Sequence, residues 1–271
     1  MLRTGKFKLV RPSRLCGTGV LVLAGSSGAM DTERAELLAA HGALAMSMRW
    51  FGGQDQPATP SNVPLESFVE ALDDLSADTD RLAIVGSSFG AEAALSVASR
   101  HTAVNAVVAL SPSAYVWPGP DGVVGMTSHW TWQGAQLDFV PLDGTWVAAE
   151  DPPAFRGLYQ QSLISDPEAA IAALIPVQDF AGDLVLVAGE DDQVWPAADW
   201  SQLIARRRRE ANLATVVVTH SDAGHRIVLP GERPVSRGQA MARGGTPEAD
   251  ASLGASAWPH IVQALALDVV G

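Results

Sequence analysis

The chain has 271 residues, of which 47% are hydrophobic, and its 30 acidic and 18 basic side chains give a net charge of −12. This charge opposes broad electrostatic attraction to nucleic acid or to an anionic membrane, so neither is expected as a partner. The single cysteine, Cys16, excludes an intramolecular disulfide and fits a reducing compartment, with the cytoplasm as the expected location. No apolar run resembles a signal peptide or a membrane span.

Apolar runs bounded by glycine alternate with amphipathic segments, which is typical of buried parallel strands alternating with helices. Helices are predicted over residues 64–77, opening at Pro64, and over 248–270, interrupted at Pro259. We therefore expect one α/β domain over residues 1–271, with a mostly parallel central sheet and helices on both faces. The predicted strands are residues 20–24, 44–48, 82–85, 104–110, 184–188 and 215–219.

The alternation of strand and helix fails between residues 111 and 166, where proline, glycine and tryptophan are frequent. A long irregular stretch inside a compact domain is usually functional or disordered, and the aromatic residues argue against disorder. We expect a lid insertion above the sheet. Trp130, Trp132 and Trp146 are candidate walls of a substrate pocket, with simple core packing as the alternative.

The strongest chemical motif is Gly-Ser-Ser-Phe-Gly at residues 86–90, between a predicted strand and a helix of small residues. Strand, G-x-S-x-G and helix form the arrangement of a nucleophile elbow, with Ser88 as the nucleophile. The turn is strained, and side chains at Gly86 and Gly90 would collide with neighbouring backbone. A glycine-serine turn without chemistry is the alternative interpretation.

A serine hydroxyl at its ordinary pKa is a weak nucleophile, so the motif requires a histidine base and an orienting acid downstream. Glu190, Asp191 and Asp192 follow one predicted strand, and His225 follows the next. Asp192 is favoured because it lies farthest past the strand, where a loop can turn its carboxylate toward the histidine. The other two acids would then make local turn hydrogen bonds. The other five histidines have no comparable setting.

Acyl transfer also requires donors for the oxyanion, normally the amide after the nucleophile and one from a loop after an early strand. Phe89 supplies the first amide, and Ser26 in the glycine-serine loop 25–28 is the expected second. Ser27 and Trp195 are expected to line the substrate site. The glycine-serine loop lacks the lysine and spacing of a P-loop and the Rossmann glycine pattern, and no cofactor or metal is expected.

Four consecutive arginines, residues 206–209, could clamp the phosphates of a coenzyme A tail. Consecutive helical residues point around most of the circumference, however, so a solvated helix end is the favoured interpretation.

Taken together, these segments resemble the catalytic domain of the bile-acid acyltransferase and acyl-CoA thioesterase family, close kin of the dienelactone hydrolases. The resemblance implies an α/β-hydrolase fold and carries a catalytic triad onto Ser88, Asp192 and His225. It rests on the elbow and on residues 25–35, 50–52, 64–68, 111–113, 189–195, 223–227, 244–247 and 258.

Two departures from the family pattern bear on the expected substrate. Larger members carry an N-terminal β-sandwich domain, whereas about twenty residues precede the first predicted strand here, so long-chain specificity is not expected to transfer. Members that conjugate amino acids tend to use cysteine as the nucleophile, whereas hydrolytic members use serine. Ser88 therefore favours water as the acyl acceptor.

We expect a serine hydrolase that cleaves small-molecule acyl thioesters, such as acyl-CoA, or esters through an acyl-serine intermediate. A carboxylesterase or a lactonase similar to dienelactone hydrolase is the first alternative. The second alternative is an acyltransferase or cyclase of a biosynthetic pathway, in which the lid excludes water. A ligand-binding receptor with the same fold is the non-enzymatic alternative.

Overall fold

The computed structural model describes residues 5–121, 125–234 and 239–268. Within these ranges, no helix combines the length and the apolar character needed to cross a membrane. The strands are β1 (Phe7–Val10), β2 (Thr18–Leu23), β3 (Leu44–Met48), β4 (Val63–Pro64), β5 (Arg81–Ser87), β6 (Val104–Leu110), β7 (Pro118–Asp121), β8 (Gly125–Ser128), β9 (Trp130–Trp132), β10 (Ala135–Gln136), β11 (Asp183–Gly189) and β12 (Val216–His220). The helices are α1 (Thr32–Ala40), α2 (Glu66–Ser76), α3 (Phe89–Ala98), α4 (Arg156–Ser165), α5 (Pro167–Ala172), α6 (Ala197–Glu210) and α7 (Pro247–Ala264), with a 3₁₀ turn at Val177–Asp179.

A seven-stranded sheet in the order β1-β3-β2-β5-β6-β11-β12 forms the centre of the domain. All neighbouring pairs are parallel except β1, which runs antiparallel to β3. The predicted α/β-hydrolase fold with a mostly parallel sheet is confirmed, and each of the six predicted strands is present within one or two residues.

Strand β1 was missed, so the expectation of about twenty residues before the first strand is wrong. The segment is short and carries lysine, as exposed edge strands commonly do, and this composition hides the strand signal.

Helices cover both faces of this sheet, and strand β2 shows how the sequence encodes the two faces. Val20 and Val22 pack into the cluster that contains α1 and α7, whereas Leu21 and Leu23 pack into the cluster that contains α2, α3 and α6. Because side chains alternate between faces along a strand, a continuous apolar run is what a doubly covered strand requires.

Two prolines have roles that differ from those predicted. Pro64 does not open a helix: it lies in β4, paired with Thr131 of β9, and helix α2 begins at Glu66. Pro259 does not interrupt the last helix, because α7 runs through it from Pro247 to Ala264. Proline removes one helical hydrogen bond, but Leu253 and Ile261 on either side of it are fully buried, and this tertiary packing holds the helix together.

The insertion over residues 111–166 is more regular than expected. It contains the hairpin β7-β8, the strands β9 and β10, and helix α4. Strand β9 pairs with β4 of the main domain, so hydrogen bonds as well as side chains tie the insertion to the sheet region. Period-two alternation over two or three residues is too short to be recognised from sequence.

The arginine run at the end of α6 is partly internal, which corrects the expectation of a solvated helix end. Arg206 and Arg209 are exposed. Arg208 is 1% exposed, and burial lowers its pKa to about 10. Its guanidinium donates hydrogen bonds to the carbonyls of Val177, Phe180, Gly182 and Ala214 and to the hydroxyl of Thr215.

We predict that Arg208→Ala lowers the free energy of unfolding by about 3 kcal/mol or more, because it leaves several buried carbonyls without a donor. Arg209→Ala, on the exposed side of the same helix, should change it by no more than about 0.5 kcal/mol. Urea unfolding of the two variants checks this, and equal losses would contradict the internal role of Arg208.

Candidate active site

Three of the parallel strands deliver polar side chains to one edge of the sheet. Ser88 follows β5, Asp192 follows β11 and His225 follows β12, each within a few residues of the strand's carboxyl end. Loops at the carboxyl ends of parallel strands are where α/β proteins build ligand sites.

The turn between β5 and α3 has the strained geometry that the motif predicts. Ser88 has φ +56° and ψ −123°, and its amide donates to the Leu110 carbonyl at 2.9 Å. A Cβ atom at Gly86 would lie 2.1 Å from the Gly90 carbonyl oxygen, and one at Gly90 would lie 2.4 Å from the Leu23 carbonyl oxygen. Neither position accepts a side chain, so both glycines are required for this turn.

The structure brings Ser88, His225 and Asp192 into one hydrogen-bonded row. His225 Nε2 lies 3.0 Å from Ser88 Oγ, and His225 Nδ1 lies 2.7 Å from Asp192 Oδ2. The Asp192 side chain is fully buried, whereas the His225 side chain is 11% exposed. A carboxylate accepts at Nδ1, so the neutral imidazole that fits this geometry has its proton on Nδ1 and presents Nε2 as an acceptor to the serine hydroxyl.

The second carboxylate oxygen of Asp192 also has hydrogen-bond partners. Asp192 Oδ1 accepts from the amides of Val194 and Trp195 at 2.8 and 3.2 Å. These bonds fix the carboxylate and satisfy it in a buried setting, where an unpaired charge would be costly.

The two neighbouring acids have other partners. Asp191 accepts from the Gly245 amide at 2.7 Å and from the Gln193 side chain at 2.8 Å. Glu190 accepts from the Thr219 hydroxyl at 2.9 Å. Only Asp192 among the three acids is bonded to His225 in the described part of the chain.

The backbone of His225 is held by residues that the sequence interpretation gave no role. The His225 amide donates to the Arg243 carbonyl at 2.9 Å, and its carbonyl accepts from the Ser111 hydroxyl at 2.8 Å. The Trp195 indole donates to the Ser111 carbonyl at 3.2 Å and lies 5.4 Å from the histidine ring. Trp195 therefore packs beside His225, and its predicted part in the substrate site stays a prediction.

Asp250, at the start of α7, supports the same loop. Its Oδ1 accepts from the Gly224 amide at 2.8 Å, directly before the histidine. Burial raises the pKa of Asp250 above its ordinary value, although the Gly224 hydrogen bond acts in the opposite direction.

A buried arginine supports the elbow from the opposite face. Arg34 donates to Ser87 Oγ at 2.6 Å and forms ion pairs with Glu232 at 2.7 Å and Asp31 at 3.1 Å. Burial alone would lower the pKa of Arg34, but the charges of Asp31 and Glu232 outweigh it and raise the pKa above its ordinary value. No local motif signals this network, because its partners are far apart in sequence.

The two predicted oxyanion donors follow residues that lie at the elbow, and their role stays a prediction: Phe89 follows Ser88, and Ser26 follows Gly25. Phe89 is the first residue of α3, and Gly25 lies so close to Ser88 that a Cβ atom there would be 3.0 Å from the serine Cβ. Among hydrogen bonds of the described residues, the Phe89 and Ser26 amides have no acceptor. The Ser26 side chain is half-buried, and Ser27 is exposed with its hydroxyl accepting from the Ala29 amide at 3.3 Å.

No group of three or more histidine, cysteine or acidic side chains within residues 5–121, 125–234 and 239–268 has the spacing to hold a metal ion. The chemistry available at this sheet edge is that of a hydroxyl, an imidazole and a carboxylate.

Comparison with known proteins places the chain in a family. Residues 63–267 match the family model described as the BAAT / acyl-CoA thioester hydrolase C-terminal domain. The chain belongs to this family. Human acyl-coenzyme A thioesterase 6 is 25% identical over 255 residues, which cover 90% of this chain and 58% of the relative. Mouse acyl-coenzyme A amino acid N-acyltransferase 2 is 24% identical over 257 residues, with the same coverage of each. The chain thus spans little more than half the length of these curated relatives.

Solved structures share the fold at low identity. A protein from Klebsiella pneumoniae assigned as a dienelactone hydrolase matches with TM-score 0.57 and 15% identity over 96% of this chain and 92% of its own. Est1E from Butyrivibrio proteoclasticus, solved with ferulic acid, matches with TM-score 0.51 and 15% identity over 81% and 86%.

The three tryptophans that were predicted to line a pocket lie in different environments. Trp130 is fully buried, with its ring 5.0 Å from Trp50 and 5.8 Å from Phe68, which favours the core alternative. Trp132 is half-buried against the core. Trp146 packs on Phe155 and borders a surface depression of about 190 Å³, which neither Ser88, Asp192 nor His225 lines.

We predict that Asp192→Asn lowers kcat by about 10⁴-fold, because an amide at this position favours the wrong histidine tautomer. Asp191→Asn is the matched control and should cost roughly tenfold or less, since Asp191 holds the Gly245 loop without contacting the histidine. Steady-state kinetics of both variants decides the matter, and the reverse ranking would exclude Asp192 as the orienting acid.

We predict that Trp130→Ala lowers the free energy of unfolding by about 3 to 5 kcal/mol, the usual cost of truncating a buried aromatic ring, and leaves acyl preference unchanged. If the insertion lines the acyl site, Trp132→Ala or Trp146→Ala should instead change the kcat/KM ratio of short and long substrates. One pocket methylene is normally worth about 1 to 3 kcal/mol in such discrimination. Unchanged selectivity in both would remove these two residues from the substrate site.

Proposed function

We propose that the protein is a serine hydrolase that cleaves acyl thioesters through an acyl-Ser88 intermediate. The position of His225 supports this proposal most strongly. Its Nε2 atom lies 3.0 Å from Ser88 Oγ, and its Nδ1 atom lies 2.7 Å from Asp192 Oδ2. A hydroxyl, a base and a buried carboxylate in this order are what nucleophilic acyl transfer requires.

The reaction proceeds in two halves. Ser88 Oγ attacks the carbonyl carbon while its proton passes to His225 Nε2, and Asp192 stays ionised and stabilises the imidazolium. The tetrahedral oxyanion accepts hydrogen bonds from the Phe89 and Ser26 amides. Collapse breaks the bond to sulfur, and the departing thiolate takes the proton from His225.

In the second half, water attacks the acyl-serine carbonyl and gives its proton to His225 Nε2. Collapse of the second tetrahedral intermediate breaks the bond to Ser88 Oγ, which recovers the proton from the histidine. The products are a carboxylic acid and a thiol.

The names of the curated relatives support a thioester as the substrate, since they include acyl-coenzyme A thioesterases and acyl-coenzyme A N-acyltransferases. Serine at position 88 favours hydrolysis over transfer to an amine, because family members that conjugate amino acids tend to use cysteine. A small-molecule acyl thioester is therefore the proposed substrate class.

One observation favours carboxylic ester or lactone hydrolysis as a second candidate. The arginine run that could have clamped coenzyme A phosphates is partly used inside the protein: Arg207 donates to the Ile175 carbonyl and to Gln178, and Arg208 is buried. Rates with acyl-CoA, the matching acyl-N-acetylcysteamine and an aryl ester separate the two candidates. Preference for acyl-CoA supports the first, whereas turnover of the aryl ester alone supports the second.

We predict that Ser88→Ala abolishes turnover and fluorophosphonate labelling without unfolding the protein, because the strain of the elbow belongs to the backbone. Ser252→Ala, an exposed serine on α7, is the control and should retain both. Peptide mapping by mass spectrometry should place the phosphonyl adduct on Ser88. Label on Ser26, Ser27 or Ser87, or turnover by Ser88→Ala, would refute the assignment.

A further inference from the structure

A second carboxylate and histidine pair lies beside the nucleophile and has no part in the proposed reaction. Glu92, in the first turn of α3, is fully buried, and His129 in the insertion is 1% exposed. Glu92 Oε1 and His129 Nδ1 are 3.1 Å apart. Buried acids are rare unless they are well paired, so this one requires an explanation.

Glu92 joins the nucleophile helix to the insertion. Its Oε1 atom also accepts from the Trp130 indole at 2.8 Å and from the Trp117 amide at 3.1 Å. All three donors come from residues 117–130 of the insertion. The helix N-terminus favours an acid at this position, and the charge-assisted bonds are stronger than neutral ones.

The His129 ring contacts Phe89, the residue that follows the nucleophile. Their ring centroids are 4.2 Å apart at an interplanar angle of 60°, the shortest separation among the ring pairs of the described residues. Phe89 also lies 5.3 Å from Trp195, which in turn lies 5.4 Å from His225. The Phe89 side chain is therefore held by rings from the insertion and from the loop that carries the orienting acid.

We propose that His129, oriented by Glu92, is a positioning residue that fixes Phe89 and thereby the oxyanion amide next to Ser88. This inference rests on the proposed acyl-serine mechanism. Trp117 and Trp130 already secure the insertion to Glu92, so the imidazole ring is not needed for that attachment. Its distinct contribution is the edge contact with Phe89, and displacements of about 1 Å in a catalytic group can cost about 100-fold in rate.

Two substitutions separate the ring contact from the hydrogen bond. His129→Asn keeps a donor at the position of Nδ1 and removes the ring, whereas His129→Phe keeps the ring and removes the donor. We expect His129→Asn to lower kcat about tenfold or more with little change in KM, since loss of an oxyanion donor costs 10²–10³ in kcat and a displaced one costs less. His129→Phe should keep most of kcat and lower the melting temperature. His260→Asn, exposed on α7, is the control.

Fluorophosphonate inactivation provides a second readout that does not depend on the choice of substrate, because the phosphonyl oxygen uses the same amides. Its rate constant should fall in parallel with kcat in His129→Asn. A purely structural role predicts lower melting temperatures in both variants and unchanged kcat per folded molecule, and that result would overturn the inference. If His129→Asn does not fold, Phe89→Ala removes the same contact from the other partner, and unchanged kcat there would also overturn it.

Failure of the His129 inference can be distinguished from failure of the proposed function. If the wild-type protein turns over neither p-nitrophenyl acetate nor S-acetyl-N-acetylcysteamine, the proposed hydrolysis is wrong, and so is the inference about His129. If the wild type is active and His129→Asn matches it in kcat and inactivation rate, only the positioning role of His129 is lost.

Discussion

The hydrogen bond between Asp192 and His225 is the contact on which the candidate site depends. At 2.7 Å, with the carboxylate fully buried, it fixes both the tautomer and the plane of the imidazole. Desolvating the carboxylate is costly, so the surrounding loops must supply the rest of its hydrogen bonds. The amides of Val194 and Trp195 do so, and the loop that bears His225 is held by Ser111, Arg243 and Asp250.

Helix α3, which directly follows Ser88, has two proposed roles at its N-terminus. Its first residue, Phe89, bears the amide that we propose as an oxyanion donor, and its first turn carries Glu92, which binds three groups of the insertion. A helix N-terminus suits both tasks, because it presents unpaired amides and favours negative charge. The insertion is thus attached within four residues of Ser88, and its His129 ring contacts Phe89, the residue after the serine.

Much of this could be predicted from sequence because the signals are local. The elbow, the acids after β11 and the histidine after β12 each follow an apolar run within a few residues, and a parallel sheet brings such positions to one edge. Asp192 could be preferred over its neighbours because it lies farthest past the strand, and its carboxylate is hydrogen-bonded to His225.

The supporting contacts could not be predicted, because their partners are distant in sequence. Glu92 and His129 are 37 residues apart, and Arg34 and Glu232 are 198 apart. His129 has no motif around it, and a lone acid in a helix of small residues suggests nothing about burial. The predictions for two prolines are wrong for the same reason. Pro64 lies in a strand because it pairs with β9, and Pro259 is tolerated in a helix because α7 is packed on both sides of it. Tertiary contacts override local preference at these positions.

Whether Ser88 carries the acyl group during turnover can be measured by trapping the intermediate. The enzyme is mixed with an excess of a slow acyl thioester, quenched in acid within milliseconds and digested, and the peptides are weighed. We expect a peptide containing Ser88 that is heavier by the mass of the acyl group and forms in a burst together with one equivalent of thiol. Steady thiol release with no burst and no acylated peptide, for a substrate whose deacylation is slower than its acylation, would mean that water attacks the substrate directly and that no acyl-Ser88 intermediate forms.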